Sequence, residues 1–393
     1  MNYLKQPFLL FPFILVFYEI SNYLSNDMYL PALPMISEDF NISAHLAQMT
    51  LTVWFLGAAS LQLILGPASD RWGRRPVLLS GGIIFIIATV ICAVASTIQV
   101  FLIARFFQGC AICAIGTAGY SSIHECFDQK QAIKILAIMG SVTVLAPAFG
   151  PLAGSLILQW FTWRFIFGFL AAWAFLAVLL LWLKMPESLA KDKRHLIDWG
   201  LILKNYYYII SNPIFMFNTL IFCFSFLGMI AWIAAGPFLV IDRFHQPTYV
   251  FGIFQAMVFG GLIIGAQSVK YLIDFLGAKK LIDIGLTISL VGSIVACIIG
   301  FIFPQFLLGL IISLMLFTFG SSLAFSPSHR IAIESCSEPM GVRMAVFSSL
   351  MSFFGFMGGL LVSMTYNGSL AWMGCLMLIA IILAWICKIK VAR

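Results

Sequence analysis

Charge is what this 393-residue sequence has least of. Asp, Glu, Lys and Arg make up 9% of it, against roughly 25% in an average soluble domain. Its 22 basic and 15 acidic residues cannot cover a soluble globule of this length. An ordinary cytosolic or secreted enzyme is thereby excluded. So is a disordered chain, which would be rich in charge and poor in Phe; this one has 38 Phe. A disulfide framework is also missing: the nine Cys lie mostly inside apolar stretches. Cys110 and Cys113 fit C-x-x-C, but mid-helix in an apolar run they read as small packing residues, not as a redox or metal pair. Walker loop, HExxH and nucleophile elbow are lacking at any sensible place, so neither ATP chemistry, a catalytic residue, a cofactor nor a bound metal is expected. What the sequence does have is hydrophobicity, 62% of its residues. A bilayer is the solvent that fits.

A membrane helix takes about 20 mostly apolar residues. Twelve such segments are predicted, near 7–30, 46–66, 76–96, 98–121, 132–157, 162–184, 211–236, 249–272, 280–301, 304–327, 341–364 and 368–389. A membrane β-barrel would alternate in polarity over about 10 residues, which runs such as 171–183 do not. The fold class is thus an all-α polytopic membrane protein. The first stretch is long, carries Glu19 and Asp27 and lacks a small-residue cleavage pattern, so it reads as a span, not a cleaved signal.

With both termini in the cytoplasm, nineteen of the 22 bases fall in cytoplasmic tails and loops, among them Lys5, Arg71, Arg74, Arg75, Lys130, Lys191, Lys193, Arg194, Lys279, Lys280, Lys388 and Arg393. Arg164 and Arg243 fall outside, and Arg105 inside a span. The positive-inside rule selects this orientation. The net charge of +7 is therefore topological. Nucleic acid is not an expected partner, because its footprint needs bases clustered on one face; membrane lipids and a small molecule are, with the chain a monomer.

The longest connection lies near the middle, with six spans on each side. The expected organisation is a six-helix bundle over 1–185, a cytoplasmic linker over 186–211 and a second six-helix bundle over 212–393. An internal repeat supports a duplicated unit. Asp70-Arg-Trp-Gly73-Arg-Arg75 and Asp274-Phe-Leu-Gly277-Ala-Lys279 both read D-x-x-G-x-[K/R], at the loops after spans 2 and 8.

The stretch from Gly66 to Pro76, GPASDRWGRRP, resembles the loop 2–3 signature of the major facilitator superfamily. Ala146-Pro147 followed by Gly150-Pro151-Leu152-Ala153-Gly154 resembles the antiporter motif of its drug/proton-antiporter branch. Tyr18-Glu19 through Asn26-Asp27-Met28, Arg105 through Tyr120, and Ala231-Trp232-Ile233-Ala234 are similar to MdfA-type multidrug/proton antiporters. Asp27 through Pro34, DMYLPALP, looks instead like the neighbouring bicyclomycin-resistance-type exporters. The resemblance implies two six-helix bundles with both termini cytoplasmic, in a bacterial inner membrane.

An ionisable side chain at mid-membrane costs at least about 2.5–3.5 kcal/mol. Deep in the spans stand Glu19, Asp27 and Arg105; Asp283 lies near a span end. At 100° per residue, Tyr23, Asn26 and Asp27 lie at about 40°, −20° and 80° from Glu19, a face about 100° wide that must look into the bundle. Two readings are open. In one, the two acids bind and release protons in competition with a cationic substrate, since burial disfavours the charged form, and Arg105 tunes one of them. In the other, Asp27 and Arg105 are a permanent ion pair that locks spans together. The resemblance implies the first, with Glu19, Asp27 and Arg105 coupling protons.

By the same resemblance, Gly66, Asp70, Arg71, Gly73, Arg74 and Arg75 form a charge-relay latch on the cytoplasmic gate; a solvated topogenic patch is the alternative. Ala146, Pro147, Gly150, Pro151 and Gly154 form a bending or sealing interface in span 5, or ordinary packing. Glu19, Tyr23, Asn26, Asp27, Gln108, Tyr120, Met139 and Trp232 would line a cavity for lipophilic cations, where aromatic faces and Met suit the cargo; each aromatic can equally be packing. The expected function is proton-driven export of lipophilic, often cationic, compounds by alternating access, with protons as the coupling ion. The alternative is a dedicated proton-coupled exporter of one endogenous metabolite such as a siderophore, in which Arg105 binds an anionic substrate directly.

Overall fold

The computed structural model describes residues 6–194 and 197–391. Lys5 and Arg393, two of the bases used for orientation, lie outside the described residues. Among these the chain is helical, without a strand. Ten helices are long and apolar enough to cross a membrane. One of them, Thr248–Ile302, has 55 residues and is broken by non-helical backbone at Gly277, φ 72° and ψ 162°, so it is two crossings. With Gln6–Asp27 the twelve crossings are α1 (Gln6–Asp27), α2 (Ala44–Trp72), α3 (Arg74–Val94), α4 (Ile98–Cys126), α5 (Gln129–Ile157), α6 (Trp163–Lys184), α7 (Pro213–Arg243), α8 (248–276), α9 (278–302), α10 (Leu307–Glu334), α11 (Met340–Thr365) and α12 (Leu370–Val391).

Local chemistry sets several starts. Ser43, Thr97, Asp128 and Asn212 each place a side-chain oxygen on a backbone N–H in the first turn of α2, α4, α5 and α7, satisfying donors that a new helix leaves open. Four expectations need correction. Span 1 ends at Asp27, and residues 30–32 form a tighter 3₁₀ turn before the short helix Leu33–Asp39; Pro31 and Pro34 suit new starts better than continuation. Span 2 does not stop at residue 66: α2 continues to Trp72 with Pro67 inside it. The two repeat loops therefore shrink to one residue each, Gly73 (φ 105°, ψ 156°) and Gly277, in a region that only glycine enters freely. Finally, the central connection holds an unexpected helix, Trp199–Ser211.

Glycines let the helices approach closely. A side chain at Gly109 would overlap the Trp54 carbonyl, and one at Gly57 the Phe106 carbonyl, so α2 and α4 cross backbone to backbone. The first six crossings meet the last six mainly through α2 with α11 and α5 with α8. His45 Nδ1 lies 2.6 Å from the Ser363 carbonyl, Ser349 donates to the Ala59 carbonyl at 3.1 Å, and Gly252 abuts Leu152. These links run from mid-membrane to the end opposite the Lys/Arg-rich one. At the basic end, residues 129–131, 133, 134, 137 and 138 of α5 are exposed, and among the described residues no ion pair joins the two sets. The directed contacts between the two sets of crossings are thus concentrated toward the far end.

Gly277 has open space around its Cβ position, so its backbone angle alone resists substitution. Gly277→Val should lower stability by about 1–3 kcal/mol, read as a lower melting temperature in detergent. Gly260→Ala, at an open helical site, should not; equal shifts would contradict this.

Candidate functional site

Arg105 on α4 is completely buried. Its guanidinium donates to the Thr50 carbonyl (3.2 Å), the Ser25 carbonyl (3.0 Å), Gln108 Oε1 (2.8 Å) and Asn26 Oδ1 (3.0 Å). It also stands over the Tyr29 ring, 4.3 Å from the centroid, an attractive arrangement for a cation. Every one of these groups is neutral. The permanent Asp27–Arg105 ion pair of the alternative reading is absent among the described residues. Gln108 is fixed in turn by donating to Thr89 Oγ1 at 2.8 Å, and Tyr29 and Thr50 share a 3.1 Å hydroxyl contact. Arg105 thus ties α1, α2 and α4 together at the depth of Asn26.

Asp27, 3% exposed, has neither a side-chain hydrogen bond nor an ion pair among the described residues. A side chain on Gly150 would come within 2.8 Å of its Cβ, and Gly154 sits directly against the Met28 carbonyl. The glycines of the α5 motif are therefore what lets α5 reach α1 beside this acid.

Glu19, about two turns deeper toward the basic end, is 1% exposed. It accepts one hydrogen bond, from the Tyr120 hydroxyl at 2.8 Å, and its Oε2 has no partner. Nearby on α1, the buried Tyr18 hydroxyl and Asn22 Oδ1 are also unpartnered. Tyr120 follows a π-helical turn at Ile115–Gly119, and its N–H bonds the Ile115 carbonyl five residues back. Such a turn inserts one residue into α4 and rotates everything beyond it, a device frequent at functional sites.

The remaining residues divide. Tyr23 is half-buried on α1 between the acids. Met139 is wholly buried in the cluster around Tyr18, Phe85 and Leu181. Trp232 packs in a different cluster, with its indole N–H on Gln255 Oε1 of α8 at 2.6 Å and its ring 5.9 Å from Phe251.

At the basic end, Arg74 is the hub. It pairs with Asp70 at 2.5 Å and Glu125 at 2.9 Å, donates to Ser69, and its backbone N–H bonds Glu187 Oε1. Glu187 also pairs with Arg194 at 3.3 Å. Arg75 donates to the Trp182 carbonyl, Arg71 is exposed, Gly66 has open space around it, and Gly73 abuts Glu187. Glu125 and Glu187 were not anticipated, since nothing in their spacing ties them to a motif 50 or more residues away. Thr50 and Ser25 were missed because backbone acceptors leave no sequence signal.

Residues 15–359 match the profile of the Major Facilitator Superfamily. The chain belongs to the major facilitator superfamily. It is 32% identical to the multidrug resistance protein MdtM of Salmonella typhimurium over 86% of this chain and 81% of that one. It is also 32% identical to the chloramphenicol resistance protein CraA of Acinetobacter baumannii, over 99% and 94%, and to the multidrug transporter MdfA of Edwardsiella piscicida, over 89% and 85%. Its fold matches a bacterial homologue of the human lysosomal transporter Spinster, with TM-score 0.74 at 15% identity over 98% of this chain and 96% of that one. The nucleoside transporter NupG gives TM-score 0.71 at 13% identity, over 96% and 99%. This is a multi-pass transporter of the bacterial inner membrane, with the major facilitator fold.

Arg105→Met should strand the Ser25 carbonyl and the Asn26 and Gln108 oxygens, each at a cost of about 1–3 kcal/mol. A marked fall in melting temperature in detergent is expected, partly recovered in Arg105→Lys. No fall would show that the cradle contributes nothing to holding α1 on α4.

Proposed function

We propose that this transporter is a multidrug efflux antiporter that exports lipophilic, often cationic, compounds in exchange for protons. The carrying observation is the pairing of the α1 acids. Glu19 has a single neutral donor, Asp27 has none, and neither is in an ion pair among the described residues. An unpaired carboxylate in a dry site is costly, and a proton or a positively charged guest each relieves that cost. The two guests therefore compete for the same groups, and competition is the basis of exchange.

The relatives are named as multidrug or chloramphenicol resistance proteins and a multidrug transporter, which supports drug export as the task. Arg105 spends its donors on the protein. That supports cations over the anionic metabolite reading, which needs the guanidinium free for substrate. With the basic end in the cytoplasm, the far end faces the periplasm, and cargo enters from the cell interior and its membrane leaflet. Protons arriving through the opposite state displace it.

In inverted vesicles, Glu19→Gln/Asp27→Asn should abolish ΔpH-driven ethidium transport while the protein remains monodisperse and folded. Transport against a gradient by that double variant would end the proposal. For the gate, exposed Asp70 beside Arg74 is free to meet the second set of crossings when the basic end shuts, so Asp70→Asn should shift the population toward the form open at the basic end. Cysteine labelling at the two ends reads this shift, and unchanged labelling would argue for a solvated patch.

A further inference from the structure

The helix Trp199–Ser211 takes no part in the proposed exchange, and its three faces differ. Ile202, Tyr206 and Ile209 turn to the protein; Ile209 is fully buried with Phe215, Ala332, Ile333 and Phe347 of α7, α10 and α11. Lys204 and Asn205 lie on the opposite side, together with exposed Leu201 and Tyr208. Between them runs an exposed apolar stripe at helical spacing: Trp199 (50% exposed), Leu203 (62%), Tyr207 (68%) and Ile210 (50%). The stripe continues onto exposed Ile214 in the first turn of α7, so it is contiguous with the lipid-facing surface of the spans. Exposed Lys204 borders it on the same helix. An apolar stripe with Trp and Tyr, bordered by Lys and level with the ends of two membrane helices, fits the headgroup region of an anionic leaflet.

The buried face makes one directed contact to the other half of the chain. The Tyr206 hydroxyl donates to the Leu63 carbonyl of α2 at 2.7 Å. In an unbroken helix that carbonyl would accept from residue 67. Residue 67 is Pro, inside α2, and has no N–H to give. Tyr206 therefore supplies the donor that Pro67 removes, one turn before the Asp70–Arg74 hub. Burial raises the Tyr206 phenol above its ordinary range, so it keeps its proton across the physiological range.

We propose that Trp199–Ser211 is a lipid-seated brace: its Trp199–Ile210 stripe rests in an anionic leaflet, and its Tyr206 hydroxyl steadies α2 at the carbonyl freed by Pro67. Lipid composition then acts on the basic end of α2 through one hydrogen bond. The test is hydrogen–deuterium exchange on the full chain in nanodiscs of phosphatidylcholine alone or with phosphatidylglycerol. Phosphatidylglycerol should slow exchange severalfold both in residues 199–211 and in residues 63–72. Tyr206→Phe should keep the first effect and lose the second. In Pro67→Ala, where residue 67 can serve Leu63 itself, Tyr206→Phe should no longer alter residues 63–72. Replacing Trp199 and Tyr207 by Ser should remove the lipid effect at both segments. Identical exchange in the two lipids would overturn the lipid seat. An unchanged α2 segment in Tyr206→Phe, or an equal effect with and without Pro67, would overturn the brace.

Discussion

A full positive charge sits at mid-membrane in this protein with no water-exposed surface and no carboxylate bonded to it. Arg105 is tolerable there because four neutral oxygens and one aromatic face surround it. Donors that meet well-placed acceptors offset much of the desolvation cost. Most of the site's geometry follows. The cradle ties α1 to α2 and α4, fixes Asn26 one residue before Asp27, and occupies the base that would otherwise pair with an acid. Asp27 and Glu19 are left without an ion-pair partner among the described residues.

The helices that bring this about are placed by residues without charge. Gly150 and Gly154 bring α5 against Asp27 and Met28. The π-turn at Ile115–Gly119 turns Tyr120 onto Glu19. Gly57 and Gly109 close α2 on α4, so that Thr50 and Arg105 meet. At the basic end a second network gathers the ends of α2, α3 and α4 and the segment after α6 around Arg74. The two networks share α2 and α4.

Much of this was legible in the sequence, for identifiable reasons. Scarce charge and long apolar runs announce membrane helices, and the three intramembrane charges stand out against such a background. The D-x-x-G-x-[K/R] repeat marked two equivalent turns, and both glycines adopt the same backbone region. Its extent was misread, because a Gly-Pro pair reads as a break while α2 carries Pro67 through with help from Tyr206. Opposite charges at one depth left open whether Asp27 and Arg105 pair; backbone carbonyls, invisible in a sequence, take part of the guanidinium instead. Glu125 and Glu187 join the hub across 51 and 113 residues of chain, which local pattern does not reveal. The helix Trp199–Ser211 had a readable apolar period that the linker's charges masked.

The central claim is that a cationic guest and protons compete for Glu19 and Asp27. It is tested most directly by adding a lipophilic cation such as tetraphenylphosphonium to purified protein in weakly buffered detergent at neutral pH, while following free protons. The account predicts proton release that saturates with binding and disappears in Glu19→Gln/Asp27→Asn. Saturable binding with no proton release, or release that persists without either carboxylate, would contradict it.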